Sequence, residues 1–366
     1  MRHIAIAIAL VLGLAAPADA ETRAHWQPPR CGVVDGDGAI SFTRDAGRTI
    51  TPTTNDPRPL QYVFGVVPQA KANTLLAVDS RGTVQTSADA GCSWRVLGRV
   101  TGLDVPRLTA GPGAEAYVWD QNGPALYRVD GTAVTALPPV DDTGAGVAAL
   151  AVDPYLPRHV RVVLTDGTVR DSHDAGRSFR TTAAPVRPDL FVYSAAIDPL
   201  NPWHITIGTM SEGVYTTWTG GRQWRQASLG ARVNAFSVAM SPTNPLVVWV
   251  QGIDLAENAA GVPSEGRHIY RSTDGGRTFR VAVDHKPGQV TLVNGTLLAP
   301  GPDPNVLYFV FGTSFANYGT DLFRYDAHRD RLSLWHNDYD GIKSIAFNPR
   351  DPRVMYLGFA VERAGG

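Results

Sequence analysis

"RSTDGGRTFR", residues 271 to 280, is a polar decapeptide that the chain repeats. Close copies are "TSADAGCSWR" at 86 to 95 and "DSHDAGRSFR" at 171 to 180, and looser ones are "TTWTGGRQWR" at 216 to 225 and "FTRDAGRTIT" at 42 to 51. Aligned, they share S/T-x-D-x-G-x-x and then a large apolar residue. Asp45, Asp89, Asp174 and Asp274 hold the acid position, Thr219 replaces it once, and Trp94, Phe179, Trp224 and Phe279 supply the aromatic. The acid positions are 44, 85, 45 and 55 residues apart. A period near forty to fifty belongs to a propeller-like array, and 85 reads as two periods with one degenerate copy between.

The residues upstream of each copy follow one grammar, seen in "AALAVDPYLPRHVRVVLTDGTVRDSHDAGRSF" and "YSAAIDPLNPWHITIGTMSEGVYTTWTGGRQW". A short apolar strand ends at an Asp-Pro turn, a β-branched strand follows, and a Gly turn leads to a third strand that runs into the decapeptide. The aromatic then opens a fourth strand. Four short strands per unit describe a propeller blade. Complete blades read at about 60 to 98, 103 to 138, 145 to 183, 190 to 229, 232 to 284 and 289 to 336, of which the second and last keep the strands without the decapeptide. Two fragments remain. The C-terminal "IKSIAFNPRDPRVMYLGFAVE" has two strands and stops, and the N-terminal "GAISFTRDAGRTIT" has a third strand, the decapeptide and a fourth strand. Joined, they form a seventh blade that leaves no open sheet edge. The expected fold is all-β: a seven-bladed β-propeller over residues 21 to 366, with a composite blade closed by N- and C-terminal strands.

In the decapeptide, an Asp beside a Ser or Thr can accept hydrogen bonds from a tight turn, Gly supplies the backbone angles, and the aromatic packs between blades. Carboxylates on four separate turns cannot converge on one substrate, so the repeat is read as structural. At these residues the chain resembles the Asp-box or BNR-repeat family of sialidase-like propellers. In blade grammar it is most similar to the photosystem II assembly-factor type, the sortilin type and xyloglucan-active hydrolases. That set contains enzymes and binding proteins, so the resemblance implies a fold without choosing a function. A sialidase would carry an early F/Y-R-I-P motif, and no "RIP" occurs here.

"MRHIAIAIALVLGLAAPADA" places Arg2 before an apolar run and ends in Ala18-Asp19-Ala20, which predicts a signal peptide over residues 1 to 20 and export to a bacterial periplasm or the medium. There Cys31 and Cys92 can pair, provided their Cα atoms approach within about 7 Å. With 33 basic against 34 acidic residues, the chain is not expected to bind nucleic acid, and no later stretch is long enough for a membrane span.

No cofactor or metal is expected, because His173, His204, His268 and His285 lack ligand spacing. Carboxylates that could serve a glycosidase stand in loops: Asp79, Asp120, Asp166, Glu212, Asp254, Glu257, Glu265 and Asp321. Two loops are expanded on the face away from the decapeptides, residues 252 to 267 and 312 to 321. They offer Glu257, Asn258, Glu265, Arg267, Phe315, Asn317 and Tyr318 to a protein or glycan partner. The expected function is a non-enzymatic binding or assembly scaffold, and the alternative is a divergent sialidase-like glycoside hydrolase.

Overall fold

A computed structural model describes residues 25–310, 320–337 and 341–360. The signal-peptide region and the loop residues Phe315, Asn317 and Tyr318 lie outside them. Six sheets contain four antiparallel strands each, hydrogen-bonded in chain order, and span residues 63–99, 106–136, 147–183, 192–226, 233–284 and 297–337. These are blades 1 to 6. Blade 7 is composite: Ile342–Phe347 pairs Met355–Phe359, which in turn pairs the N-terminal strand Ile40–Thr43 with Ile40 opposite Gly358.

Blade 7 has three strands where the sequence predicted four. After its decapeptide turn the chain makes one ladder bond, from the Thr51 amide to the Phe42 carbonyl at 2.9 Å. Pro52 then has no N–H to donate, and its carbonyl instead accepts from the Val34 amide at 2.8 Å, so the segment leaves the sheet. A short α-helix also interrupts the β pattern. Leu255–Ala260 (α1) is capped by the Asp254 side chain and closed by Gly261 in the left-handed region.

The core lies between blades. Seven apolar clusters fill the seven junctions of the ring, so no single blade has a core of its own. Second strands such as Val160–Leu164 are buried on both faces. Val160, Val162 and Leu164 turn toward Tyr117 and Leu126 of blade 2, whereas Val163 turns toward Ile205 and Ile207 of blade 4. Strands covered on both sides read as the continuous apolar runs seen in the sequence.

The decapeptide turns tile these junctions. In blade 5, Ser272 Oγ donates to Asp274 at 2.8 Å and accepts from the Gly276 amide at 3.0 Å. Asp274 also accepts from the Thr278 amide at 3.0 Å and the Thr278 hydroxyl at 2.7 Å. The same set recurs around Asp45, Asp89 and Asp174. Gly276 has φ +82°, and a Cβ there would lie 2.9 Å from Thr206 Oγ1 of blade 4. Gly176 would likewise meet Leu137 of blade 2 at 2.9 Å. The glycine thus serves both the turn and the close approach to the preceding blade.

Cys31 and Cys92 form a disulfide with Cα atoms 5.7 Å apart, joining the segment that leads into blade 7 to the turn of blade 1. Beside it Trp26 is buried, and its carbonyl accepts from Arg350 at 3.3 Å.

Candidate binding site in the central channel

The first strand of every blade borders the central channel, and the mouth opposite the decapeptide turns holds a cavity of about 420 Å³. Five of those strands carry a register break at one equivalent place: Val63/Gly65, Val147/Ala149, Val192/Ser194, Ala235/Ser237 and Ile342/Ser344. The residues skipped by the ladders are Phe64, Ala148, Tyr193, Phe236 and Lys343, and all five line the cavity. A bulge re-aims its extra side chain out of the sheet, here toward the channel axis.

A small residue follows each bulge, because that position faces the neighbouring strand. A Cβ on Gly65 would stand 2.7 Å from Leu108 Cβ. The Ser344 hydroxyl donates to the Val63 carbonyl at 2.8 Å, and Ser194 Oγ accepts from the Val238 amide at 3.2 Å. These residues lie outside both the repeated decapeptides and the expanded loops. Their signal was available: "VFG", "VAA", "VYS", "AFS" and "IKS" open five blades with one variable residue between a small-to-medium apolar residue and Gly, Ala or Ser.

The mouth is aromatic on one side and cationic on the other. Tyr193 lies 5.2 Å from Phe191 and 4.8 Å from Phe236, centroid to centroid. Phe64 stacks on Tyr62 at 5.8 Å, and Lys343 Nζ sits 5.7 Å above the Tyr62 ring. Arg107, from the unbroken first strand of blade 2, lies 5.5 Å over Phe64. Its Nε and Nη2 both donate to Gln121 Oε1, at 2.9 and 2.6 Å. Burial pushes the guanidinium down to about 10, which leaves it charged at neutral pH. Among the described residues, Arg107 has no carboxylate partner, and no Asp or Glu lines the cavity.

The expanded loop at 252 to 267 is closed on itself. Glu257 Oε2 lies 2.9 Å from His268 Nε2 and accepts from Ser264 at 3.0 Å, while His268 Nδ1 lies 2.9 Å from Asp284. Asn258 donates to the Glu265 carbonyl at 3.3 Å, and Arg267 pairs with Glu265 at 3.0 Å and donates to the Leu292 carbonyl at 3.2 Å. None of Glu257, Asn258, Glu265 and Arg267 lines the cavity. The other loop carboxylates are also engaged locally. Asp79, Asp166 and Asp254 accept turn amides at 2.8 to 2.9 Å, Asp120 accepts from the Val105 amide at 2.9 Å and the Asn122 amide at 3.1 Å, Glu212 meets Arg232 at 3.4 Å, and Asp321 meets His336 at 2.9 Å.

Among the described residues, one cluster is of metal-ligand type, His159, Asp171 and His173, whose ligand atoms lie within 4.8 Å of one another. Both Asp171 oxygens already accept from the buried Arg161 at 2.7 Å, and the two imidazoles stack at 4.7 Å. Arg161 also donates to the Pro202 carbonyl of blade 4 at 2.7 Å and lies 4.1 Å over Trp203. The ion pair stays within blade 3, and Arg161 joins it to blade 4 through the Pro202 carbonyl and the Trp203 ring.

The molecule is therefore a seven-bladed β-propeller whose channel mouth presents aromatic rings, a guanidinium and an ammonium group. It belongs to the family of the dispase autolysis-inducing protein of Streptomyces mobaraensis, with which it shares 44% identity over 352 residues, 93% of this chain and 91% of that protein. No family model matches the chain. Solved structures show the same fold at low identity. The GH74 xyloglucanase from Xanthomonas campestris superposes with a TM-score of 0.59 at 17% identity, covering 87% of this chain and 55% of that one. YCF48 bound to D1 peptide superposes with a TM-score of 0.57 at 11% identity, covering 92% of this chain and all of that one (100%).

Proposed function

We propose that the chain is an exported, non-enzymatic propeller that grips a segment of a partner polypeptide in its channel mouth, and that a self-cleaving protease such as dispase is the kind of partner it acts on. The observation that carries this reading is the mouth: five bulged strands aim side chains at one cavity, and its aromatic and cationic lining suits a polypeptide segment. The relative named for inducing dispase autolysis and the fold shared with a peptide-bound propeller support it. In the same reading the decapeptide turns are Asp boxes of the BNR type, with a purely structural duty.

The test is autolysis of dispase followed by gel electrophoresis with and without the purified chain. Wild type should accelerate the breakdown, and the double variant Tyr193→Ala/Phe236→Ala should lose at least tenfold of that effect with an unchanged melting temperature. Acceleration that survives the double substitution would place the interaction elsewhere. The glycoside hydrolase alternative rests on the fold shared with GH74 enzymes. Release of reducing sugar from xyloglucan by the purified chain would decide for it.

A further inference from the structure

We infer that the group recognised in the channel is a carboxylate carried on an apolar body, with Arg107 taking the carboxylate and the Tyr193–Phe236 wall taking the apolar part. The inference rests on the channel mouth as the binding site and adds the chemistry of what enters it.

Among the described residues, no carboxylate pairs with Arg107. A cation taken out of water is normally paired with an anion. Arg107 is half-buried, yet its described side-chain acceptor is a single amide oxygen, Gln121 Oε1. Of its five N–H groups, those bonds use Nε–H and one hydrogen of Nη2, leaving both hydrogens of Nη1 and one of Nη2. The remaining Nη1–Nη2 edge is a fork that matches two carboxylate oxygens. Gln121 holds the opposite edge and so fixes the plane of the guanidinium before any ligand arrives.

The neighbours of Arg107 narrow the ligand class. Phe64 lies against the guanidinium, and the Trp119 indole N–H is already given to Thr109 Oγ1 at 3.0 Å, so it offers an incoming anion nothing. Leu297, Val310 and Ile342 continue the apolar lining from the aromatic side. A phosphate or sulfate would find the Arg107 fork and the Lys343 ammonium on one side and the apolar Tyr193–Phe236 wall on the other, where it needs donors around three or four oxygens. A carboxylate on an apolar or aromatic stem finds a partner for each end. In a polypeptide that chemistry has two sources, a C-terminal apolar residue or an acidic side chain beside an apolar one.

Calorimetric titration of the purified chain tests this with N-acetylphenylalanine, N-acetylphenylalaninamide and N-acetyl-glutamyl-phenylalaninamide. At least one of the two acids should bind tenfold or more tighter than N-acetylphenylalaninamide, and the tighter acid names the source. Arg107→Gln should erase that preference and leave the melting temperature unchanged. Should that variant fail to fold, Arg107→Lys keeps the charge without the fork and should retain only part of the preference. Equal binding of acids and amide by wild type, or binding of none of them, overturns the carboxylate inference. That result is separable from failure of the proposed function. If the aromatic double variant loses the dispase effect while acids and amide bind equally, the polypeptide site stands without the carboxylate. If the effect survives the double variant while wild type prefers an acid, the carboxylate site stands without the proposed partner.

Discussion

The two ends of the ring solve opposite problems with the same blades. At the end that carries the decapeptide turns, side chains are spent on the protein itself: Asp274 collects hydrogen bonds from Ser272, Arg277 and Thr278, and Gly276 lies against blade 4. At the mouth, first strands of the same sheets bulge, and Phe64, Tyr193, Phe236 and Lys343 leave the ladder for the cavity. The difference is one of register. A regular ladder and a closed turn commit a side chain to its own blade or the next, whereas a bulge frees one position per blade from packing. Stability is thereby lodged at one end, and the other can hold an aromatic, an alanine or a cation at a single equivalent site.

The largest effect that can break this division is expected at Arg161, on the turn side. Arg161→Ala leaves Asp171 buried beside His159 without its guanidinium, and should cost about 3 to 5 kcal/mol. Urea unfolding measures the loss, and binding at the mouth, corrected for the folded fraction, should not change. Next comes the double variant Cys31→Ser/Cys92→Ser. It opens a covalent loop of 61 residues' separation and should cost about 2 to 4 kcal/mol, visible as a lower thermal midpoint that reductant reproduces in wild type.

Asp274→Ala should cost about 1 to 3 kcal/mol by leaving turn amides unpaired. Its pH dependence has a definite sign. Burial works to raise the Asp274 carboxyl, but bonds from the Thr278 amide and hydroxyl, from Ser272 and from the Arg277 amide outweigh it and bring the group from 3.8 down to about 2. A group depressed on folding stabilises fully above its unfolded value and stops doing so as pH falls through its folded value. The stability difference between wild type and Asp274→Ala should therefore be constant above about pH 5 and shrink between pH 4 and 2. A difference that grew on acidification would mean that the carboxylate is not the bonded form.

The fold was legible because the turn end repeats in sequence what it repeats in space. Ser272, Asp274 and Gly276 are close partners within five residues, so their spacing survives in the linear chain, and so does the split blade that their period exposed. Two details of that reading gave way to local chemistry. Pro52 turns the fourth strand of blade 7 out of its sheet, and the Asp254 cap starts a helical turn inside an otherwise β pattern. The mouth was hard to see for the opposite reason. Phe64, Tyr193 and Phe236 stand one or more blades apart in the chain, and only the small residue after each bulge betrays them, while Arg107, on an unbroken strand, lacks even that mark. Length drew attention to the loop at 252 to 267, yet Glu257, Glu265 and Arg267 fold it onto itself. Loop length marks where insertion is tolerated, whereas the mouth is marked by Arg107, which has no carboxylate partner among the described residues.

The smallest expected effect lies in the one turn that lacks the acid. In blade 4 Thr219 occupies that position, and its hydroxyl accepts only the Gln223 amide at 2.9 Å from the far side of the turn, while Thr217 Oγ1 lies 3.2 Å away and accepts from the Gly221 amide at 3.1 Å. Thr219→Asp would add a second acceptor oxygen and a charge in the geometry that Asp45, Asp89, Asp174 and Asp274 already share. Gln223 stands where those four turns have Thr or Ser, so the hydroxyl bond to the second oxygen cannot form. The gain should therefore be partial, about 0.5 to 1 kcal/mol at neutral pH. It should fade below about pH 4, because the carboxyls in the four complete turns are all lowered from their ordinary value and this one would be too. Thr219→Asn, with a neutral acceptor in the same place, should keep a smaller gain that does not vary with acid. Equal and pH-independent stability of both variants would show that the turn needs an acceptor of the right shape and not a charge, and would move the origin of the acid sensitivity to Asp171 and its partners.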